Sequence, residues 1–321
     1  MKRVVLFEPC ISSLNLGDYI IVESVKRELE FLLNDSFVVE QPTQTPLMHF
    51  YQKNDGRLKL ARNVDYKFVC GSNLIWQNMF TLNPQWNYNL FNCNNQLGSI
   101  LVAVGSSTTK DKLNLYTRGL YAKVLNKNYI HSVRDEATKR RLESIGLKCI
   151  NTGCVTTWCL NEKHCQKIPK DKASKVVFTL TDYSKDEIKD KKIVEILLKN
   201  YKEVYYWPQG IGDYEYIEKI GYLDRVKIVP ANLESMRTLL KMGDIDYVGT
   251  RLHGGIFAMQ NFVRSIILII DNRAREMREH YNLPTIEREN IDELEHLINS
   301  SWDTNININI NAIKKWKNQF A

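Results

Sequence analysis

The chain has 321 residues and a formal net charge of +7, long enough to bury a large core and to hold two domains. Its apolar and charged shares, 44% and 25%, are those of a folded globular protein and exclude a disordered chain or a fibre. The positive charge is mild for the length and spread along the chain, which speaks against nucleic acid. It suits anionic substrates, or a membrane surface where lipid-linked sugars are handled.

The first residues, MKRVVLFEPC, carry two basic side chains before an apolar run that stops at Glu8. That run is shorter than the ~7–15 residues of a signal-peptide core and reads as a first strand over 3–7. No apolar stretch approaches the ~20 residues that span a bilayer, so a cytoplasmic protein is expected. A loop with Asn15 and Gly17 leads to Asp18, after which Ile20, Ile21, Val25, Leu29 and Leu32 recur at helical spacing. Asp18 therefore belongs to a first turn, either as the cap or as a residue that binds an acceptor hydroxyl.

Further strands are expected over 37–40, 67–70, 99–104 and 129–133. Two of them end in small-residue loops, Gly71-Ser72-Asn73 and Gly105-Ser106-Ser107, which suit the ligand edge of a parallel sheet. The tract 73–95 holds Trp76, Trp86 and Tyr88 among asparagines, and reads equally as a sugar-stacking surface or an aromatic staple. Arg134 precedes a charged helix whose first turn holds Asp135 and Glu136; these acids suit the helix dipole, the structural reading, while Arg134 beside the helix N-terminus would add to an anion site, the functional one. Seven cysteines, an odd number, fit reduced thiols. Cys149, Cys154, Cys159, His164 and Cys165 lack the paired spacing of zinc sites, and no metal is expected.

The stretch 163–175, rich in lysine and holding Pro169, reads as a linker. Domains are expected over 1–165 and 173–321. Strands then recur at 176–180, 203–207, 226–229, 245–248 and 265–270 with helical patterns between, so the fold class is α/β, two Rossmann-like domains facing a cleft. The run at 245–248 ends in Gly249 and Thr250, followed by Arg251, Leu252, His253, Gly254 and Gly255. Arg251 offers donors for a carboxylate or phosphate, His253 can move a proton near neutral pH, and the glycines let backbone approach a ligand. The plain alternative is a packed arginine and a core histidine. Trp207, Pro208 and Gln209 end a strand and Asp213 opens a helix; Arg273 and Arg275 follow the last main strand. The repetitive NINININ is a short strand or an extended connection, ahead of a last amphipathic helix near 312–320.

Asn15-x-Gly17-Asp18, Ser132-x-Arg134-Asp135 and Arg251-Leu252-His253-Gly254 together resemble the polysaccharide pyruvyl transferase family, over about 3 to 285. Cys70-Gly71-Ser72 stands where that family has a glycine triplet, and Arg273 near where it has a lysine. The resemblance implies a glycosyltransferase B-like pair of domains, the first on the acceptor side and the second on the donor side, with the last helix packing back on the first. It implies transfer of the pyruvyl group of phosphoenolpyruvate to two hydroxyls of a saccharide or lipid-linked oligosaccharide, with peripheral contact at the inner membrane face. Phosphoenolpyruvate is then the donor substrate, and no cofactor is called for. Arg134, Arg251 and Arg273 would bind the donor with Gly254 and Gly255. His253 and Asp18 would carry acid–base work, and Asn15 and Asp18 would meet the acceptor. Two other readings fit the residues: a glycosyltransferase using a nucleotide sugar, with Glu234 on the ribose, and a non-catalytic glycan-binding protein.

Overall fold

The computed structural model describes residues 1–45, 56, 59, 62–81, 84–106 and 112–321. Ser107 of the second small-residue loop, and residues 82 and 83 of the aromatic tract, lie outside them. The chain divides into two compact units. The first comprises Met1–Ser13, Ile21–Trp158 and Asn309–Ala321; the second comprises Leu14–Ile20 and Cys159–Ile308. The division differs from a simple cut at the lysine-rich stretch: the Asn15–Asp18 motif counts with the second unit and the C-terminal helix with the first.

In the first unit, β1 (Lys2–Glu8), β2 (Ser36–Pro42), β3 (Tyr66–Cys70) and β4 (Ile100–Val102) form a sheet in the order β2-β1-β3-β4. All its pairs are parallel. Beyond it β5 (His131–Val133) pairs with β6 (Cys149–Asn151), and a parallel bridge joins Val104 to Val133. Strand side chains alternate between faces. Val5 and Phe7 of β1 accordingly join a core with Leu120 and Tyr121, and Val4 and Leu6 join one with Val25, Leu29 and Trp316. The last helix, Ile310–Lys317, and the 3-10 turn Asn318–Phe320 after it lay Trp316 and Phe320 edge-on against Phe68. Trp86 and Tyr88 are buried, Trp86 tilted against Phe7 and T-shaped to Tyr88, so these two are the staple.

The second unit is one parallel sheet of β7 (Lys175–Thr179), β8 (Glu203–Tyr206), β9 (Lys227–Ile228), β10 (Ile245–Gly249), β11 (Ser265–Ile269) and β12 (Thr285–Glu287). Its order, β12-β11-β10-β7-β8-β9, is that of a doubly wound Rossmann sheet. β10 and β11 are buried along their whole length, as central strands covered on both faces are. In such sheets ligands settle at the carboxyl ends where the strand order reverses, here between β7 and β10. β6 and β12 are additions to the expected strands. Residues 305–309 of the NINININ stretch have no regular structure, the extended alternative, and its last two residues open the final helix.

Candidate active site

The loops after β7, β8 and β10 meet at this switch point around one side chain, and the loop after β11 lies beside them at a cavity. Asp213, first residue of the helix Asp213–Lys219 and fully buried, accepts on both carboxylate oxygens. Oδ2 takes the backbone N–H of Gln209 at 3.0 Å, that of Gly210 at 2.7 Å and Arg251 Nε at 3.1 Å. Oδ1 takes the N–H of Asp182 at 3.0 Å and Arg251 Nη2. Burial pushes the Asp213 carboxyl up and Arg251 pulls it down. Arginine keeps its proton, and a carboxylate with this set of donors is ionised, so we read an ion pair. Gly210 leaves room for it: a Cβ there would stand 2.1 Å from Arg251 Nη2.

Arg251, only 5% exposed, also meets Asp182 Oδ1 at 3.0 Å, and its guanidinium lies 5.1 Å from the ring centre of Tyr183. Its donor fork is therefore already partly spent on two carboxylates of its own unit. It then opens the helix Leu252–Gln260, whose N-terminus carries no side-chain cap. That end favours an anion, because the first N–H groups of a helix lack intrahelical partners.

His253 sits in the first turn of this helix, buried, with Nδ1 3.1 Å from Arg273 Nη2. Arginine can only donate, so Nδ1 is the accepting nitrogen and the proton of the neutral ring resides on Nε2. Arg273 comes from the helix Asn272–Tyr281 after β11, the neighbour of β10, and Asp271 caps that helix through Ala274 N–H. The Asn15 motif completes the cluster. Asn15 Oδ1 accepts from Gly17 N–H, an antiparallel bridge joins Asn15 to Gly210, and a Cβ on Gly17 would stand 3.2 Å from His253 Nδ1.

Between these groups lies a cavity of 230 Å³. Arg251, Arg273 and Asp271 supply its charge, and Asn15, His253, Gln209 and Tyr183 its other polar groups. It is smaller than the ~300–1,000 Å³ that hold drug-sized ligands, and fits a small polar molecule.

The structure thus brings Asn15, Arg251, His253 and Arg273 together. Asp18 follows in the first turn of the helix Leu16–Glu28 but is not among the residues lining the cavity. Gly17 faces His253, and adjacent helical residues do not share a face; the capping role falls to Asn15. Gly254 and Gly255 are buried against their own fold. A Cβ would stand 2.7 Å from the Tyr247 hydroxyl at Gly254 and 2.4 Å from Ile267 at Gly255, so the close approach they permit is to β10 and β11.

Arg134 belongs to the first unit, where its Nη2 donates to Asn73 Oδ1 and its guanidinium lies over Gly105, at whose Cα a Cβ would come within 2.7 Å. It therefore stands among the loops that end β3, β4 and β5. Asp135 caps the helix Glu136–Glu143 through Thr138 N–H at 2.6 Å. Arg275 pairs with Glu287, and Glu234 with Arg237 on an exposed helix face. Asp213, Asp182, Tyr183 and Gln209 are site residues that pattern reading did not assign; the two glycines ahead of Asp213 were the available sign.

A model of the polysaccharide pyruvyl transferase family matches residues 15–272. No functionally curated protein matches the sequence. Among solved structures, the UDP-GlcNAc 2-epimerase of Methanocaldococcus jannaschii is 14% identical with a TM-score of 0.57, over 99% of this chain and 99% of that one. A UDP co-structure of S. aureus MnaA is 12% identical with a TM-score of 0.53, over 99% and 96%. At these identities the likeness concerns the fold alone, an α/β chain of two Rossmann-like domains of the glycosyltransferase B type.

Proposed function

The chain belongs to the polysaccharide pyruvyl transferase family, and from that premise we propose that it moves the pyruvyl group of phosphoenolpyruvate onto a sugar of a bacterial surface polysaccharide or its lipid-linked precursor. The product is a cyclic ketal. The observation that carries this reading is the contact of Arg273 Nη2 with His253 Nδ1 beside the Arg251 helix N-terminus, which leaves a proton-bearing Nε2 next to an anion-favouring end. Arg273 turns to the donor's anionic groups and frees Nδ1 to take a proton, and the resulting His253 imidazolium gives its Nε2 proton to the methylene carbon while a sugar hydroxyl bonds to the adjacent carbon. That hydroxyl's proton returns to the imidazole. A second hydroxyl then bonds to the same carbon as the bond to phosphate breaks, and its proton leaves with the phosphate. One carbon–hydrogen and two carbon–oxygen bonds form, and atoms and charges balance without a further reactant.

Arg251 has Nε and Nη2 committed to carboxylates, so Nη1 is the terminus we assign to the donor. Arg273 and the N–H groups of the uncapped helix add to it, and Arg134 is proposed as a further donor contact. Of the residues expected in acid–base and acceptor roles, His253 and Asn15 line the cavity, and we assign the acid–base role to His253 and the hydroxyl contact to Asn15. None of the helices among the described residues is long and apolar enough to cross a membrane, and lipid-linked acceptors would be met at the inner membrane face of the cytoplasm.

Thermal unfolding with phosphoenolpyruvate, inorganic phosphate and a nucleotide sugar tests the donor. A ligand at 100 times its Kd stabilises the fold by about 2.7 kcal/mol. Stabilisation by phosphoenolpyruvate, lost in Arg251→Ala, is expected; selective stabilisation by the nucleotide sugar would replace this reading by a glycosyltransferase. His253→Ala should lower turnover by roughly 100- to 10,000-fold, the range of a general acid, and leave the unfolding temperature near that of the parent. Near-normal phosphate release by this variant would remove His253 from the chemistry.

A further inference from the structure

Gln209 stands out within the cavity. Its side chain is 3% exposed, and its Oε1 is buried with no hydrogen-bond partner among the described residues, yet the residue lines the cavity. Leaving a buried carbonyl oxygen unsatisfied is costly, and native folds do so where something else supplies the donor. The backbone around it is fixed from both sides: its N–H goes to Asp213 Oδ2 at 3.0 Å, and its carbonyl accepts from Leu16 N–H at 2.9 Å. The amide is also given room, because a Cβ on Gly254 would stand 2.8 Å from Oε1. The residue thus lines the cavity while its amide oxygen lacks a donor among the described residues.

We infer that Gln209 contacts the acceptor: its Oε1 receives a hydrogen bond from a hydroxyl of the saccharide and holds that hydroxyl in the cavity beside His253. This rests on the pyruvyl-transfer reading of the same cavity. Of the two substrates in that reading, phosphoenolpyruvate presents a carboxylate and a phosphate, which accept hydrogen bonds and are repelled by a carbonyl oxygen. A sugar hydroxyl donates. Tyr183 at the same cavity agrees with a sugar, since the residue is 61% exposed and the ring face away from Arg251 offers a flat apolar surface against which a pyranose packs. The acceptor is then received by the second unit, the unit that also carries Arg251 and His253.

The test uses the full chain with two variants. Gln209→Met keeps length and removes the acceptor oxygen; Gln209→Glu keeps an oxygen and adds charge. Methyl pyranosides of galactose, glucose and mannose are the probes, read by ligand-observed NMR, and phosphoenolpyruvate affinity is read separately by thermal shift. We expect a pyranoside to bind the parent, to bind Gln209→Met about tenfold more weakly, and to bind Gln209→Glu nearly as it binds the parent. Phosphoenolpyruvate affinity should change less than twofold in Gln209→Met. Equal pyranoside binding by parent and Gln209→Met, or no binding of any of the three by the parent, would overturn the inference. So would a loss in Gln209→Met confined to phosphoenolpyruvate, which would assign the residue to the donor. If phosphoenolpyruvate leaves the parent unshifted while pyranoside binding still depends on Gln209, the donor reading falls and the Gln209 contact stands.

Discussion

The second unit holds a buried arginine–aspartate pair near each end of β10, and the two are built differently. At the amino end Asp246 meets Arg264 Nη1 at 3.0 Å, with side chains 2% and 1% exposed. Arg264 Nη2 donates to the carbonyls of Leu297, Ile298 and Ser300, closing the end of the helix Leu294–Asn299, and Trp302 covers the guanidinium at 4.7 Å. At the carboxyl end Arg251 meets Asp213, with side chains 5% and 0% exposed, and lines the cavity. Burial pushes both carboxyls up, and the facing arginine opposes this in each. The ionic chemistry is shared and the surroundings are not. The amino-end pair spends its donors on carbonyls and an indole, as a staple does; the carboxyl-end pair fixes three loops around a space for a ligand.

The largest stability effect should come from breaking the staple. Arg264→Ala leaves Asp246 with Tyr201 Oη at 2.8 Å and Ala173 N–H at 3.3 Å, and strips the carbonyls that end the helix. Removing one partner of a buried pair costs about 3–5 kcal/mol. Urea unfolding should show that loss, with phosphoenolpyruvate affinity per folded molecule unchanged. Arg251→Ala should cost less, about 1–3 kcal/mol, because Asp213 keeps the N–H groups of Asp182, Gln209 and Gly210 and the cavity admits water. Donor affinity should fall sharply in that variant. Equal stability losses in the two would dissolve the distinction between staple and anchor.

Sequence pattern shows one of these ends better than the other. The apolar runs of β10 and β11 and the glycine-bounded loop between them mark Arg251 and His253, because strand-end position is a local property. Arg273 follows from the adjacency of β10 and β11. Nothing local marks Arg264, whose partners lie at 246, 297, 298 and 300. Asp213 reads as a helix opener, since its donors come from Asp182, Gln209, Gly210 and Arg251 and meet only once the sheet is wound. The three-residue strands β6 and β12 are too short to show alternation. Gly254 and Gly255 show why composition alone does not say what a glycine is for: a ligand and a neighbouring strand ask for the same missing Cβ.

The smallest expected effect sharpens the comparison most. Asp182 touches the anchor from the solvent side, its side chain 29% exposed against 0% for Asp213. It occupies Arg251 Nη2 at 3.0 Å with a carboxylate, the chemical group a phosphoenolpyruvate donor would bring. If Asp213 is the anchor, Asp182 is dispensable for the fold, and Asp182→Asn should change stability by less than about 1 kcal/mol, as expected for a partly exposed pair. Removing its negative charge should also tighten donor binding a few-fold, because a carboxylate no longer competes for Arg251. Titration calorimetry with phosphoenolpyruvate reads this directly. Weaker donor binding in Asp182→Asn would mean that Asp182 orients the guanidinium, and the anchor would then be a carboxylate pair instead of Asp213 alone.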